Sequence, residues 1–182
     1  MRSIRVPADR VGTLIGKDGE TKKMLEKMSG GIRLRIDPEG EVMFNDNAEG
    51  VDPLMVLKLM DVLKAVGRGF NPDKAVRLFE DDEYFEAIDL KDVVGDKSNQ
   101  LGRMRGRLIG TNGKTRRLIE DLTGCNMSVY GNTVALIGNS ISLPVAKTAV
   151  EMILNGSEHA SVYGYLEGQR PRLRIAEMGF DI

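Results

Sequence analysis

At 182 residues, with 41% hydrophobic and 29% charged side chains and a net charge of −1, the chain can build one large domain or two small ones of about seventy residues each. Its one cysteine, Cys125, excludes an intrachain disulfide, and with a single histidine, His159, no set of soft ligands exists for a structural zinc. The first thirty residues carry charges throughout and no apolar run long enough for a signal sequence or a membrane span, so the expected location is cytoplasmic, with no membrane partner.

Ile4 to Pro7 reads as a short strand whose closing proline suits a sheet edge. Asp9 is placed to cap a helix running to about Ile15, and Gly16 to Gly19 breaks it. A second helix is expected from Glu20 to Met28, with Met24, Leu25 and Met28 on one face, ended by Gly30-Gly31. Ile32, Leu34 and Ile36 alternate with Arg33 and Arg35, the period of a half-buried strand. Asp37-Pro38-Glu39-Gly40 then turns the chain into a return strand, Glu41 to Asn45, and Asp52 to Val66 reads as a third helix with Leu54, Leu57, Met60, Val62 and Leu63 apolar. The order is strand, helix, helix, strand, strand, helix.

After a connecting helix from Asn71-Pro72 to about Glu80, that order begins again. Tyr84 to Leu90 is a strand, Lys97 to Ile109 includes a helix, and Lys114 to Leu122 is a second one. Cys125, Met127 and Val129 alternate on the next strand, with Cys125 expected in the core. Gly131-Asn132 makes a hairpin turn, Thr133 to Ile137 returns, and Ser142 to Leu154 is the last helix of the unit, with Ser142 placed as its cap and Pro144 as an early helical proline. The tail reads as an extra helix, with His159 on its surface, followed by a basic, partly ordered end in which Pro171 interrupts Arg170, Arg172 and Arg174.

The two halves share more than element order. Gly12-Thr13-Leu14-Ile15-Gly16-Lys17-Asp18-Gly19-Glu20-Thr21-Lys22-Lys23 recurs as Gly106-Arg107-Leu108-Ile109-Gly110-Thr111-Asn112-Gly113-Lys114-Thr115-Arg116-Arg117, and the match continues through Glu26 and Glu120. A duplicated module explains this better than chance. Charge is segregated around the same glycines: residues 95–124 carry +4 and residues 2–30 carry +3, whereas residues 71–92 carry −5. Cations at one offset from both glycine turns form an electrostatic footprint for phosphate on a nearly neutral protein.

These motifs resemble the Ile-Gly-x-x-Gly loop of KH domains, in Ile15-Gly16-Lys17-Asp18-Gly19 and again in Ile109-Gly110-Thr111-Asn112-Gly113. The resemblance implies an α+β chain: two tandem KH domains of the type I, eukaryotic topology (βααββα), packed together, with a connecting helix and a C-terminal helical tail. The boundaries are 1–70, 71–82, 83–157 and 158–182. Glycines let the loop approach a sugar-phosphate chain, the following helix offers amides to phosphate, and such a loop clamps about four nucleotides against an apolar groove. Leu14, Ile15, Leu34 and Ile36, and Leu108, Ile109, Met127 and Val129, are candidates for that groove or the core beneath it, core being the expectation for most; neither copy offers an aromatic stacking residue. Gly113-Lys114-Thr115 also copies the end of a nucleotide-binding P-loop, but the glycine required five positions before Gly113 is Leu108.

The join Gly67-Arg68-Gly69-Phe70-Asn71-Pro72-Asp73-Lys74-Ala75, with Glu83 to Leu90 and Val162-Tyr163-Gly164-Tyr165-Leu166, is similar to the ribosome-assembly KH proteins called Dim-two or partner of Nob one, and the compact length is similar to archaeal members. The resemblance implies a non-enzymatic factor that binds single-stranded precursor small-subunit rRNA near its 3′ end. Its implied partners are the Nob endonuclease, the rRNA dimethyltransferase and other small-subunit assembly factors. It needs no cofactor, metal or catalytic residue. Eukaryotic relatives tend to lose the first glycine loop; this chain keeps it. The principal RNA site is expected at Gly110, Thr111, Asn112, Gly113 and Lys114 with Arg103, Arg105, Arg107, Arg116 and Arg117. Gly16, Lys17, Asp18, Gly19, Lys22 and Lys23 form a second, weaker site, because Asp18 and Glu20 repel phosphate. The alternative is a KH-fold adaptor whose surfaces bind proteins, with RNA contact secondary.

Overall fold

The computed structural model describes residues 1–179, so the last positions of the tail, 180–182, lie outside the described residues. The chain divides into two compact units, Met1–Glu83 and a second that begins at Tyr84.

The first unit runs β1 (Arg2–Arg5), a 3-10 turn (Ala8–Arg10), α1 (Val11–Ile15), the glycine loop, α2 (Glu20–Met28), β2 (Leu34–Ile36), β3 (Glu41–Phe44) and α3 (Pro53–Gly67). The connecting segment, α4 (Pro72–Ala75) and a 3-10 turn over Val76–Phe79, packs on α3 and belongs to this unit, with Ala75 and Leu78 buried. The second unit runs β4 (Tyr84–Asp89), α5 (Leu90–Val94), α6 (Ser98–Ile109), the second glycine loop, α7 (Lys114–Thr123), β5 (Asn126–Tyr130), β6 (Thr133–Gly138), α8 (Ser142–Leu154) and α9 (His159–Glu177). Each unit has one antiparallel sheet with the return strand in the middle, β1-β3-β2 and β4-β6-β5. β1 therefore lies at an edge, where its closing proline costs no ladder bond.

Helices pack against these sheets through the expected periodicities. Leu14, Leu25, Val42, Phe44, Leu59 and Leu63 are buried in the first unit, and Leu108, Ile119, Leu136, Val150 and Ile153 in the second. Each such side chain contributes about 1.5–3 kcal/mol by leaving water. Cys125 is buried in the second core, as expected, with its sulfur 3.4 Å from Ser142 Oγ.

Several details differ from the sequence reading, each for a local reason. Asp9 sits inside the first 3-10 turn, and α1 starts behind Arg10 with no side-chain cap. On α3 the buried stripe is Val56, Leu59, Val62, Leu63 and Val66, so Leu54 and Leu57 are each 55% exposed. Met28 is also exposed, while Glu26 is buried because its carboxylate has a backbone partner on β2. The strand reading of Leu90 fails because Asp89 accepts from the Lys91 amide at 2.9 Å and opens a short helix. Pro171 does not interrupt the tail. α9 continues through it to Glu177, buried along Val162, Leu166 and Leu173, and Arg170 donates to the Asp121 carbonyl at 3.0 Å. The acidic stretch serves local pairing: Asp81 meets Lys58 at 2.7 Å, Glu83 meets Arg77 at 2.9 Å and Glu86 meets Lys147 at 2.7 Å. The Lys58 ammonium holds the Asp81 carboxyl below the usual carboxylate range.

Ser142 lies inside the first turn of α8 instead of capping it. Asn139 Oδ1 is the acceptor there, taking the Ile141 amide at 3.0 Å, the Ser142 amide at 2.8 Å and the Ser142 hydroxyl at 3.0 Å. Asn139→Ala is therefore expected to lower the unfolding free energy by about 1 kcal/mol or more, read by urea denaturation. An unchanged midpoint would place the cap elsewhere.

Candidate nucleic-acid interface

The two glycine loops have nearly the same backbone. Gly16 and Gly110 have φ of 76° and 75° with extended ψ, Asp18 and Asn112 have φ of 54° and 55°, and Gly19 and Gly113 have φ of 75° and 76°. Three positive φ values in four residues explain the residue types, since Gly, Asn and Asp tolerate the left-handed region best. Asp18 is first a backbone device and only then a charge.

The outer glycines have different tasks. A Cβ on Gly110 would lie 2.3 Å from Thr115 Oγ1 and 2.7 Å from the Thr115 amide; on Gly16 it would lie 2.2 Å from Thr21 Oγ1. The first glycine of each loop is thus required by the threonine behind it. Around Gly19 nothing lies within 4 Å of such a Cβ, and at Gly113 only the Arg116 guanidinium does, at 3.9 Å. The second glycine leaves its space to an approaching molecule. In the second unit Thr115 is buried, and its hydroxyl lies 2.9 Å from the Tyr163 hydroxyl of α9. His159 is not a free surface residue: its ring stacks on Tyr163 and its Nε2 lies 2.9 Å from the carbonyl oxygen of Arg107.

Glu26 and Glu120, repeated in sequence but given no task there, tie the second helix to the next strand. Glu26 Oε2 accepts the Leu34 amide at 3.1 Å and Glu120 Oε2 accepts the Met127 amide at 3.0 Å. Their recurrence at one offset was the available signal. Of the groove candidates, Leu14, Leu34, Leu108 and Met127 are buried core, whereas Ile15, Ile36, Ile109 and Val129 are half-buried. Each unit therefore shows one aliphatic side chain from a helix and one from a strand. Tyr130, at the end of β5, is half-buried, but it alternates with Met127 and Val129 and so belongs to the other face of the sheet.

The expected cationic cluster divides. Arg105 donates to Asn132 Oδ1 at 2.7 Å and to the Gly131 carbonyl at 3.3 Å, tying α6 to the hairpin turn. Arg107 donates to the Ile153 carbonyl at 2.8 Å and to the Ser157 carbonyl, at the end of α8. Arg10 does the same at the end of α3, donating to Val66 and Phe70 carbonyls at 2.9 and 2.8 Å. A guanidinium there meets carbonyls at and just beyond the helix end, where the dipole is negative. Arg116 pairs with Glu120 at 2.6 Å. Arg103 is about 200° around α6 from Arg105, on the face away from the hairpin. Lys114 and Arg117 stay exposed beside the second loop, as Lys17 and Lys23 do beside the first; Lys22 is half-buried.

Among the described residues no cluster of three His, Cys, Asp or Glu side chains is placed to hold a metal ion, and no helix is long and apolar enough to cross a membrane. The glycine asymmetry predicts that Gly110→Ala destabilises by about 2 kcal/mol or more, through both φ and the threonine contact, whereas Gly113→Ala costs about 1 kcal/mol. Paired denaturation curves check this, and equal costs would contradict the division of tasks.

Residues 84–171 match the family model described as eukaryotic type KH-domain (KH-domain type I), and residues 1–50 match the KH domain model. A KH domain-containing protein of Methanocaldococcus jannaschii is 46% identical over 95% of this chain and 75% of its own length. The pre-rRNA-processing protein PNO1 of Saccharomyces cerevisiae is 28% identical over 95% of this chain and 64% of its own length. A chain of the crystallised a/eIF2alpha–aDim2p–rRNA complex from Pyrococcus horikoshii is 46% identical, with a TM-score of 0.86 over 94% of each chain. With two glycine loops of the same geometry in two units of the same element order, these likenesses place the chain: it belongs to the Dim2/PNO1 family of KH-domain proteins.

Proposed function

We propose that this chain is a non-catalytic RNA-binding factor of small-subunit ribosome assembly, acting as two tandem type I KH modules on single-stranded precursor rRNA near its 3′ end. The Gly110–Gly113 loop is the principal clamp. The observation that carries this reading is the open space over Gly113 beside the exposed Lys114 and Arg117, in a loop braced from behind by Thr115 and Tyr163. A relative 46% identical to this chain was crystallised with rRNA, and more distant relatives are named for pre-rRNA processing, which supports the same substrate class.

A phosphate on this loop meets the first amides of α7, its dipole end and two cations, while the neighbouring bases lie toward Ile109 and Val129. The first loop shares the backbone but carries Asp18 and Glu20, so it holds RNA more weakly through Lys17, Lys22 and Lys23. The work is done in a cytoplasmic assembly particle, with the Nob endonuclease and the rRNA dimethyltransferase as partners.

The test puts carboxylates in the second loop without straining it. Thr111 is exposed, and Asp18 already occupies in the first loop the backbone state of Asn112. Thr111→Asp with Asn112→Asp should weaken binding to a single-stranded 3′-end rRNA fragment at least about tenfold in filter binding. In the parent protein, log K against log salt should fall with a slope of about −1.4 to −2.1, as for two or three phosphate contacts on a single strand. Unchanged affinity in the double variant would remove this loop from the interface.

A further inference from the structure

The second unit has an open cleft of about 470 Å³ behind α6, lined by Val94, Gln100, Arg103, Met104, Arg107 and Gly156. Gln100, Arg103, Met104 and Arg107 follow one face of the helix at three- and four-residue spacing. Arg105, which reaches the hairpin, points away from that face, so the cleft is separate from the groove beside the glycine loop. Its volume falls in the range of ordinary ligand sites.

The walls define what fits. Val94 and Met104 supply apolar surface, and methionine adapts to irregular aliphatic shapes. Arg107 is spoken for by the carbonyls of Ile153 and Ser157, which hold the end of α8 and the wall at Gly156 in place. Arg103, one turn before it, is exposed and has no hydrogen bond or ion pair among the described residues. A single guanidinium fork at the rim of an apolar cleft matches one carboxylate beside an aliphatic side chain. A nucleic-acid strand would instead find one cation over an apolar floor.

We propose that this cleft docks a short segment of a protein partner that carries an acidic side chain next to an aliphatic one, with the carboxylate on Arg103 and the aliphatic group between Val94 and Met104. Gln100 offers its amide to the segment's backbone. The site is independent of the RNA reading, because it uses the opposite face of α6.

The experiment titrates the ¹⁵N-labelled full chain with the peptide acetyl-Asp-Leu-Leu-Asp-amide and with its neutral Asn-for-Asp counterpart, reading backbone amide shifts. The acidic peptide should shift Val94, Gln100, Met104 and Gly156 saturably, and Arg103→Gln, with an otherwise native spectrum, should weaken it about tenfold. Absence of shifts at these amides, equal binding of the neutral peptide, or affinity untouched by Arg103→Gln would overturn the proposal. Displacement of the peptide by a short oligouridine would overturn it too, by giving the cleft to RNA.

Discussion

A threonine hydroxyl fills the space that a side chain on the first loop glycine would need, and this contact governs the arrangement around it. Thr115 beneath Gly110, and Thr21 beneath Gly16, bring the start of one helix against the end of another. That approach forces the chain between them through positive φ values and turns the second glycine outward. The loop is therefore a consequence of close helix packing, and its exposed edge is what a phosphate backbone can reach. Where packing demands a glycine, the residue is structural; where the space is empty, it is available to a ligand.

The surroundings of this contact differ between the two units. Thr115 is backed by the Tyr163 hydroxyl, and Tyr163 stacks on His159, which meets the Arg107 carbonyl just before the loop. α9 is thereby joined to both sides of the second clamp. No such partner reaches Thr21 among the described residues. A clamp already held in shape loses less conformational entropy when RNA binds. On the proposed reading, the second loop gains from rigidity as well as from the absence of the carboxylates found in and beside the first.

Much of this was legible in the sequence, and the failures have a common source. The two glycine loops, α2, α8 and the hairpin at Gly131-Asn132 follow from local residue chemistry, which short-range rules read well. The destinations of long side chains do not. Arg105, Arg107 and Arg116 surround the glycines, and the local pattern does not say that each also reaches a carbonyl, an amide oxygen or a carboxylate of the chain itself. Arg10 and Arg107 serve one purpose at positions that differ by one helical turn in the repeat, so aligning the copies conceals their equivalence. Pro171 misled for a similar reason: tertiary burial of Leu166 and Leu173 carries α9 through a residue that locally opposes it. Asn139 carries the cap although Ser142 stands nearer the helix start, because its side chain reaches two amides and a hydroxyl at once.

The central claim is that the second loop, and not the first, is the leading phosphate clamp. Titrating the ¹⁵N-labelled chain with a single-stranded RNA of the small-subunit 3′ end tests it directly, since both loops are read in one spectrum. The amides of Gly110 to Lys114 should shift at lower RNA concentration than those of Gly16 to Glu20. Shifts that begin in the first loop at the lower RNA concentration, or none at the second loop, would contradict the account.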